Sequence, residues 1–310
     1  MSTLDGLLVV VGLVVFEIIV SIDNAIVNAH MLKTMSRKWR KIFLFFGILS
    51  AVLLMRLILP LVMVWLLVPD ISADGILNLF TSNSSLAHDA IEQQKYLILS
   101  FGGMFLLLVY FHWLFMEKKK PLFAHEKLME KNHDVWFFAF AAILLVGLMY
   151  LARSRPSMMI TIAMGSAAFF ILYGFKESAE KREEKMMKSE ASDVSKFMYL
   201  EVLDMVFSFD SVIGAFAFTT NLLYIFLGLG IGSLALRELT IIGIKKISSY
   251  VWLKNGAMTS IAFLGVFMLL ESFNMHLPVS LPTLITFSVV GYTFYMSHKN
   301  LTYRKLLNSK

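Results

Sequence analysis

Long apolar stretches follow one another along most of the chain, with shorter polar segments between them. A bilayer core about 30 Å thick requires about 20 apolar residues to be crossed as a helix. Nine stretches approach this length, and four of them are short. They are 6–31, 42–68, 96–116, 135–152, 158–175, 197–220, 222–244, 257–273 and 278–297. The pattern therefore predicts an all-α fold, a polytopic membrane helix bundle with about nine transmembrane helices.

The lysine and arginine residues are unevenly divided between the two sides of this predicted bundle. One side has 23 of them, and the other has three, Lys95, Arg153 and Arg155. Short cytoplasmic loops of membrane proteins are enriched in basic residues. We therefore expect the N-terminus outside the cell and the C-terminus in the cytoplasm. The first stretch lacks the basic start and the cleavage site of a signal peptide, so we expect it to be retained.

Composition agrees with a membrane protein and excludes other classes. Hydrophobic residues make up 58% of the 310 residues, and charged residues make up 16%, against about 25% in an average soluble domain. This balance excludes a soluble globular protein and a disordered chain. The absence of cysteine excludes a disulfide scaffold and any metal site built from thiolates. The net charge of +6 follows from the basic loops, so we expect no nucleic-acid partner.

Two segments share the pattern acid-x3-Ser-x-Asp. The first copy contains Glu17, Ser21 and Asp23, and the second contains Asp204, Ser208 and Asp210. The second copy lies on the sixth predicted helix, so the two copies run in opposite directions through the membrane. Such inverted repeats are common in secondary transporters. We therefore expect a first half (1–175) and a second half (197–310), joined by a charged cytoplasmic linker (176–196).

Eight ionisable residues fall inside the predicted helices. They are Glu17, Asp23, Arg56, Glu201, Asp204, Asp210, Arg237 and Glu238. A charge at the bilayer centre costs about 2.5–3.5 kcal/mol on insertion scales. The two arginines cannot pair with all six acids, so the remaining carboxylates must be protonated, contact water or bind cations. We place Arg56, Glu201, Arg237 and Glu238 in a counter-ion or coupling group, and for the two arginines we favour the counter-ion role.

Carboxylates with neighbouring Asn and Ser oxygens make hard sites that suit Mg²⁺, Ca²⁺ or Mn²⁺. The histidines fall at helix ends or in loops, which argues against a zinc, nickel or copper pathway. The two acids of each copy are six residues apart, which is about 240° around a straight helix. Either the helices are unwound near Ser-x-Asp, or each acid has a different role. The glycines at 102–103 and 228–232 predict close helix packing.

The chain resembles the TerC superfamily of bacterial membrane proteins, in particular a TerC-like branch without an assigned function. The resemblance runs from about residue 7 to 275. It is carried by Glu17 with Ser21–Ala25, by Phe101–Leu107, by Leu200–Asp204 with Phe207–Phe216, and by Leu229–Gly232 with Arg237. It implies divalent metal handling, above all Mn²⁺ efflux, and a link to tellurite resistance. Carried over by position, the candidate metal ligands are Glu17, Asp23, Asn24, Asp204, Asp210 and Ser211.

The residues and the resemblance together predict a multi-pass protein of the bacterial inner membrane that exports a divalent cation. Mn²⁺ is the first candidate substrate, Ca²⁺ and Mg²⁺ are alternatives, and protons are the expected exchange ion. We expect membrane lipids as partners, no permanently bound cofactor and no enzymatic activity. Two alternatives stay open, an intramembrane aspartyl hydrolase and a non-transporting membrane scaffold in metal or tellurite stress.

Overall fold

The chain folds as a helix bundle in a computed structural model that describes residues 3–47, 51–68, 85–129, 134–188, 192–247 and 249–308. The helices are α1 (Thr3–Val20), α2 (Ile22–Lys33), α3 (Arg37–Ile42), α4 (Leu59–Leu67), α5 (Ser85–Met116), α6 (Ala124–Leu128), α7 (Asp134–Leu151), α8 (Pro156–Lys188), α9 (Asp193–Ala215), α10 (Leu222–Ile247), α11 (Leu253–Ser272) and α12 (Leu281–Asn308). Two π-helical segments, Phe43–Gly47 and Ala51–Ile58, lie between α3 and α4. The described residues contain no β-strand, so the all-α prediction is confirmed.

Several helices have the length and composition of membrane spans. Within the described ranges, Ile91–Met116, Pro156–Ser178 and Leu253–Ser272 are each long and apolar enough to cross a bilayer. The bent pair Leu4–Val20 and Ile22–Lys33 passes the same test as one broken span. Helices of this kind are characteristic of membrane proteins, because a lipid environment requires every backbone polar group to be satisfied internally. The figure of nine spans and the inverted repeat stay predictions.

The long helices extend beyond the apolar stretches that predicted them. The helix α5 begins at Ser85, inside the segment expected to be an outer loop, and α8 continues to Lys188, inside the expected linker. Polar residues can continue a helix into solvent because their side chains do not disturb the backbone hydrogen bonds. Residues 69–84 of the expected loop and residues 189–191 of the expected linker lie outside the described residues.

The centre of the bundle is formed where α5 packs against α11. A methyl group added at Gly103 would place its carbon 3.0 Å from the backbone oxygen of Gly265, and Gly265 itself lies against Leu107. Adjacent Gly102 is covered by the side chain of Met268. The predicted close packing at 102–103 is confirmed, because only glycine leaves room for these approaches.

A second close contact brings α1 against α10. Gly228 lies against the side chain of Leu13, and a methyl carbon at Gly232 would lie 2.7 Å from Cβ of Glu17. The packing predicted for 228–232 is therefore confirmed at both glycines. This packing brings the buried acid Glu17 of α1 directly against α10.

The helices α7 and α8 present apolar side chains outward. Ile143, Val146 and Phe175 are each more than 60% exposed, and most of the span Pro156–Ser178 is uncovered by the rest of the chain. A continuous apolar face of this kind requires an apolar environment. In a membrane protein that environment is the lipid.

Candidate functional site: a buried acidic cluster beside a broken helix

The helix that carries the first acidic copy is broken at Ser21. The axes of α1 and α2 differ by 49° at this residue. The 240° spacing left two alternatives open, and the first copy shows the predicted break near Ser-x-Asp. The second copy behaves differently, because Asp204 and Asp210 lie on the uninterrupted helix α9.

Glu17 is completely buried about halfway along the broken span. Its Oε1 accepts hydrogen bonds from Ser21 Oγ (3.1 Å) and from Ser233 Oγ (2.8 Å). The same oxygen forms an ion pair with Nη2 of Arg56. No donor from the described residues reaches its second oxygen, Oε2. Oε1 thus carries both hydrogen bonds and the ion pair, and Ser211 also lies beside this carboxylate.

Arg56 lies in the second π-helical segment and is 4% exposed. Besides its contact with Glu17, its Nη1 donates to Ser208 Oγ at 2.7 Å. The hydroxyl of Ser208 in turn donates to the backbone oxygen of Asp204 at 2.5 Å. A guanidinium offers several donors in a fixed planar arrangement, which suits it to link groups on different helices. Arg56 thereby connects α1 with α9.

Asp204 lies in the middle of α9 and is 7% exposed. Its Oδ1 accepts hydrogen bonds from the amide nitrogens of Asn24 and Asn28, the latter at 3.0 Å. The charged groups that act on it are Arg56 and Glu17. These three side chains carry one positive and two negative charges when ionised. Among the described side chains, this trio therefore carries one more negative than positive charge when all three are ionised.

Asp23 lies apart from this cluster, at the edge of a cavity of about 760 Å³. Its carboxylate is 42% exposed and forms an ion pair with Lys254 at 2.9 Å. Lys254 also contacts Glu117 at 2.6 Å. Half-buried Asp210 is within electrostatic reach of Glu117 and Lys176, which both line this cavity. Asp23 therefore faces the cavity and Asp210 lies near two charged residues of its wall, while the earlier acid of each copy lies in the buried cluster.

Basic groups determine the electrostatics at the cavity. Burial raises the pKa of the Glu117 carboxyl, but the charges of Lys254 and Lys176, with the hydrogen bond from Lys254, together outweigh burial and hold that pKa below its ordinary value. Aromatic side chains form much of the remaining wall. Those lining the cavity are Phe137, Phe138, Phe169, Phe170, Tyr173 and Phe207. The cavity thus combines an apolar wall with charged groups of both signs.

The other predicted residues are placed as follows. Ser211 is fully buried beside Glu17, and its hydroxyl donates to the backbone oxygen of Ser208 at 3.1 Å. Glu201 is buried one turn before Asp204, and its carboxylate lies against Gly47. Glu238 is exposed on α10. The side chain of Arg237 lies outside the described part of the chain.

Four residues of the site were not anticipated from sequence. They are Asn28, Ser233, Glu117 and Lys254. A signal existed for Asn28, because it follows Asn24 by four residues and so shares its helical face. No such signal marked Lys254, which lies in a basic stretch that resembles any other topology-determining loop.

The carboxylates do not come together as a metal cluster of acids. Among the described residues, no group of three or more Asp, Glu or His side chains is close enough to hold one ion. Any cation bound at the cluster would therefore need neutral oxygens as well, such as those of the amides of Asn24 and Asn28.

Comparison with known proteins places the chain in a family. No curated protein and no solved structure shows significant similarity to it. A family model described as "Protein of unknown function (DUF475)" matches residues 22–302, so the match begins at the first residue of α2. This match covers most of the chain, and the protein therefore belongs to the DUF475 family.

Proposed function

We propose that this protein transports a divalent cation across a membrane, with Mn²⁺ as the first candidate substrate and Ca²⁺ or Mg²⁺ as alternatives. The observation that carries the proposal is the buried trio of Glu17, Asp204 and Arg56, two acids and one base, which lies midway along the broken span and along α9. Ionisable groups inside membrane segments are costly and typically mark an ion pathway. A proton or a cation must compensate the surplus charge, and exchange of the two is a transport cycle.

The proposal includes the topology inferred from sequence. The N-terminus lies outside, the C-terminus is cytoplasmic, and two inverted halves alternate around the buried cluster in the bacterial inner membrane. The broken helix supports this proposal, because secondary transporters commonly place their sites at discontinuous helices. The resemblance to the TerC superfamily, with its metal efflux, supports the direction of transport.

Cavities lie at opposite ends of α5 in the described part of the chain, which supports alternating access. The larger one, about 760 Å³, lies at the end predicted to be cytoplasmic, beside Glu117. The other, about 140 Å³, lies beside Glu92 and Lys95. There Lys95 forms ion pairs with Glu92 (3.4 Å) and Glu271 (3.9 Å). Cavities at both ends of the bundle are what entry and exit of an ion on opposite sides would need.

Flux measurements on the purified protein in liposomes test the proposal. We expect a trapped fluorescent sensor to report Mn²⁺ entry with wild-type protein and at least about a tenfold loss with Asp204→Asn. The matched control is Asp193→Asn, because Asp193 lies on the same helix at its exposed start. That variant should transport like wild type. Absence of Mn²⁺, Ca²⁺ and Mg²⁺ flux from correctly inserted wild-type protein would overturn the proposal.

The same variants separate transport from the two alternatives. An aspartyl hydrolase requires two aspartates that share a proton around a water molecule. Here Asp23 is bonded to Lys254, while Asp204 is bonded to two amides. Peptide cleavage that is lost in Asp204→Asn, without any metal flux, would favour the hydrolase. Unchanged cellular metal content after deletion of the gene, with stable protein partners, would favour the scaffold.

A further inference from the structure

The amide side chains of Asn24 and Asn28 are incompletely bonded. Both are more than nine-tenths buried, and both donate their nitrogens to Oδ1 of Asp204. No donor from the described residues reaches the amide oxygen of either one. A buried acceptor without a partner costs about 1–3 kcal/mol. Two such oxygens beside one carboxylate therefore require an explanation.

An amide group can exchange the positions of its oxygen and nitrogen by rotation about its last side-chain bond. Without a cation, each nitrogen donates to the anionic oxygen of Asp204, which is the favourable orientation. With a cation beside Asp204, the reverse orientation becomes favourable, because amide oxygens are good ligands for hard cations. The same two side chains can therefore serve the empty site and the loaded site.

The break at Ser21 brings the two amides to Asp204. Asn24 and Asn28 are four residues apart on α2 and so project from one helical face. The 49° bend gives α2 a different direction from α1, and its amide face contacts α9 while Glu17 stays on α1 with Arg56. The break thus separates the carboxylate that holds the arginine from the side chains that surround Asp204.

We propose that Asp204, Asn24 and Asn28 form one cation site, in which Asn28 is a ligand that the acidic pattern does not contain. The proposal rests on the function proposed above and assigns Glu17 to the arginine rather than to the cation. One carboxylate and two neutral amides give a site of low charge. Because affinity rises with the number of charged ligands, such a site binds a cation weakly enough to release it.

Equilibrium binding of Mn²⁺ to the full chain in lipid nanodiscs tests this assignment, with free Mn²⁺ measured by electron paramagnetic resonance. We expect Asn28→Leu, which preserves the side-chain size, to weaken Mn²⁺ binding at least about tenfold. Asn255→Leu is the matched control. Asn255 is also buried and donates its amide nitrogen to a carboxylate, Oε2 of Glu126, at 2.9 Å. Its substitution should leave Mn²⁺ affinity unchanged.

A second variant keeps the test decisive if Asn28→Leu does not fold. Asn28→Asp adds a charged ligand of the same size, so we expect it to bind Mn²⁺ at least about threefold more tightly and to release it more slowly. Folded Asn28→Leu with wild-type affinity would overturn the assignment, and so would Asn28→Asp with unchanged or weaker affinity. Parallel flux measurements keep the two proposals apart. Wild-type flux that survives Asn28→Leu overturns the ligand assignment alone, whereas absence of any wild-type flux overturns the transport function.

Discussion

The two acidic copies have the same spacing but different surroundings. In the first, the helix is broken, and Glu17 is neutralised by Arg56. In the second, the helix is continuous, and Asp204 is held by the neutral amides of Asn24 and Asn28. Equal sequence patterns have therefore produced one carboxylate with a fixed counter-ion and one without. The two acids are therefore not interchangeable halves of a symmetric site.

The serines of the two copies differ in the same way. Ser21 donates to the carboxylate of the acid four residues before it. Ser208 donates to the backbone oxygen of its corresponding acid, Asp204, and accepts from Arg56. The first serine therefore supports the charge of Glu17, while the second supports the arginine. Both serines strengthen the Glu17–Arg56 pair, and neither contacts the carboxylate of Asp204.

The largest effect on stability should come from removing the carboxylate that has a fixed partner. Glu17→Gln removes one member of the buried Glu17–Arg56 ion pair, which should cost about 3–5 kcal/mol. Asp204→Asn removes the less compensated charge and should change stability by less than about 1 kcal/mol or increase it. Chemical denaturation in detergent measures the free energy of unfolding of both variants.

The control for this contrast removes both members of the pair. The double variant Glu17→Leu with Arg56→Met replaces the ions by apolar groups, and we expect it to recover most of the loss, as buried ion pairs often allow. Equal destabilisation by Glu17→Gln and Asp204→Asn would contradict the distinction between the two copies.

An intermediate effect should follow from crowding the first copy alone. In Gly232→Ala, the new methyl carbon would lie 2.7 Å from Cβ of Glu17 and 3.0 Å from the backbone oxygen of Val14. Overpacking of this kind typically costs about 1–3 kcal/mol. Thermal unfolding in detergent checks the loss. Gly147→Ala on α7 is the matched control, because nothing lies within 4 Å of that position and the change should be neutral or stabilising.

Much of the fold was predictable because it depends on local composition. Each of the nine apolar stretches overlaps a helical region, since an apolar run of that length has no other stable state in lipid. The six-residue spacing of the acids also indicated that a straight helix could not direct both to one site. It could not indicate that only the first copy would break.

The composition of the site was less predictable because it depends on tertiary packing. Which acids meet is decided by the bend at Ser21 and by the approach of α1 to Gly232. The glycines predicted close packing without naming the partner helix, and the spacing allowed a break without selecting one copy. Arg56 was expected to be a counter-ion, but the acid with which it pairs was left open. Lys254 illustrates the converse case. It was counted with the cytoplasmic basic residues, whereas in the structure it is bonded to Asp23 and Glu117.

The smallest effect should come from the acids at the cavity, and it should depend on pH. Lys254 lowers the pKa of Glu117 from its ordinary value of 4.5. A lowered pKa in the folded state stabilises the protein above pH 4.5, and this contribution disappears as pH falls through the lowered value. Lys254→Met should therefore cost about 0.5–1 kcal/mol at pH 7, because the pair is partly exposed, and less as pH falls below 4.5.

Thermal unfolding of wild type and Lys254→Met between pH 7 and about pH 3.5 measures this dependence, and Lys181→Met is the matched control. Lys181 pairs with Glu177 at 2.7 Å on one exposed helical face, so its removal should have a smaller effect at every pH. A loss in Lys254→Met that grows as the pH falls would show that Glu117 is not stabilised by this lysine. Glu117 would then be independent of the charge of Lys254, and the contrast between an acid paired with lysine at the cavity and an acid held by amides in the buried cluster would need another cause.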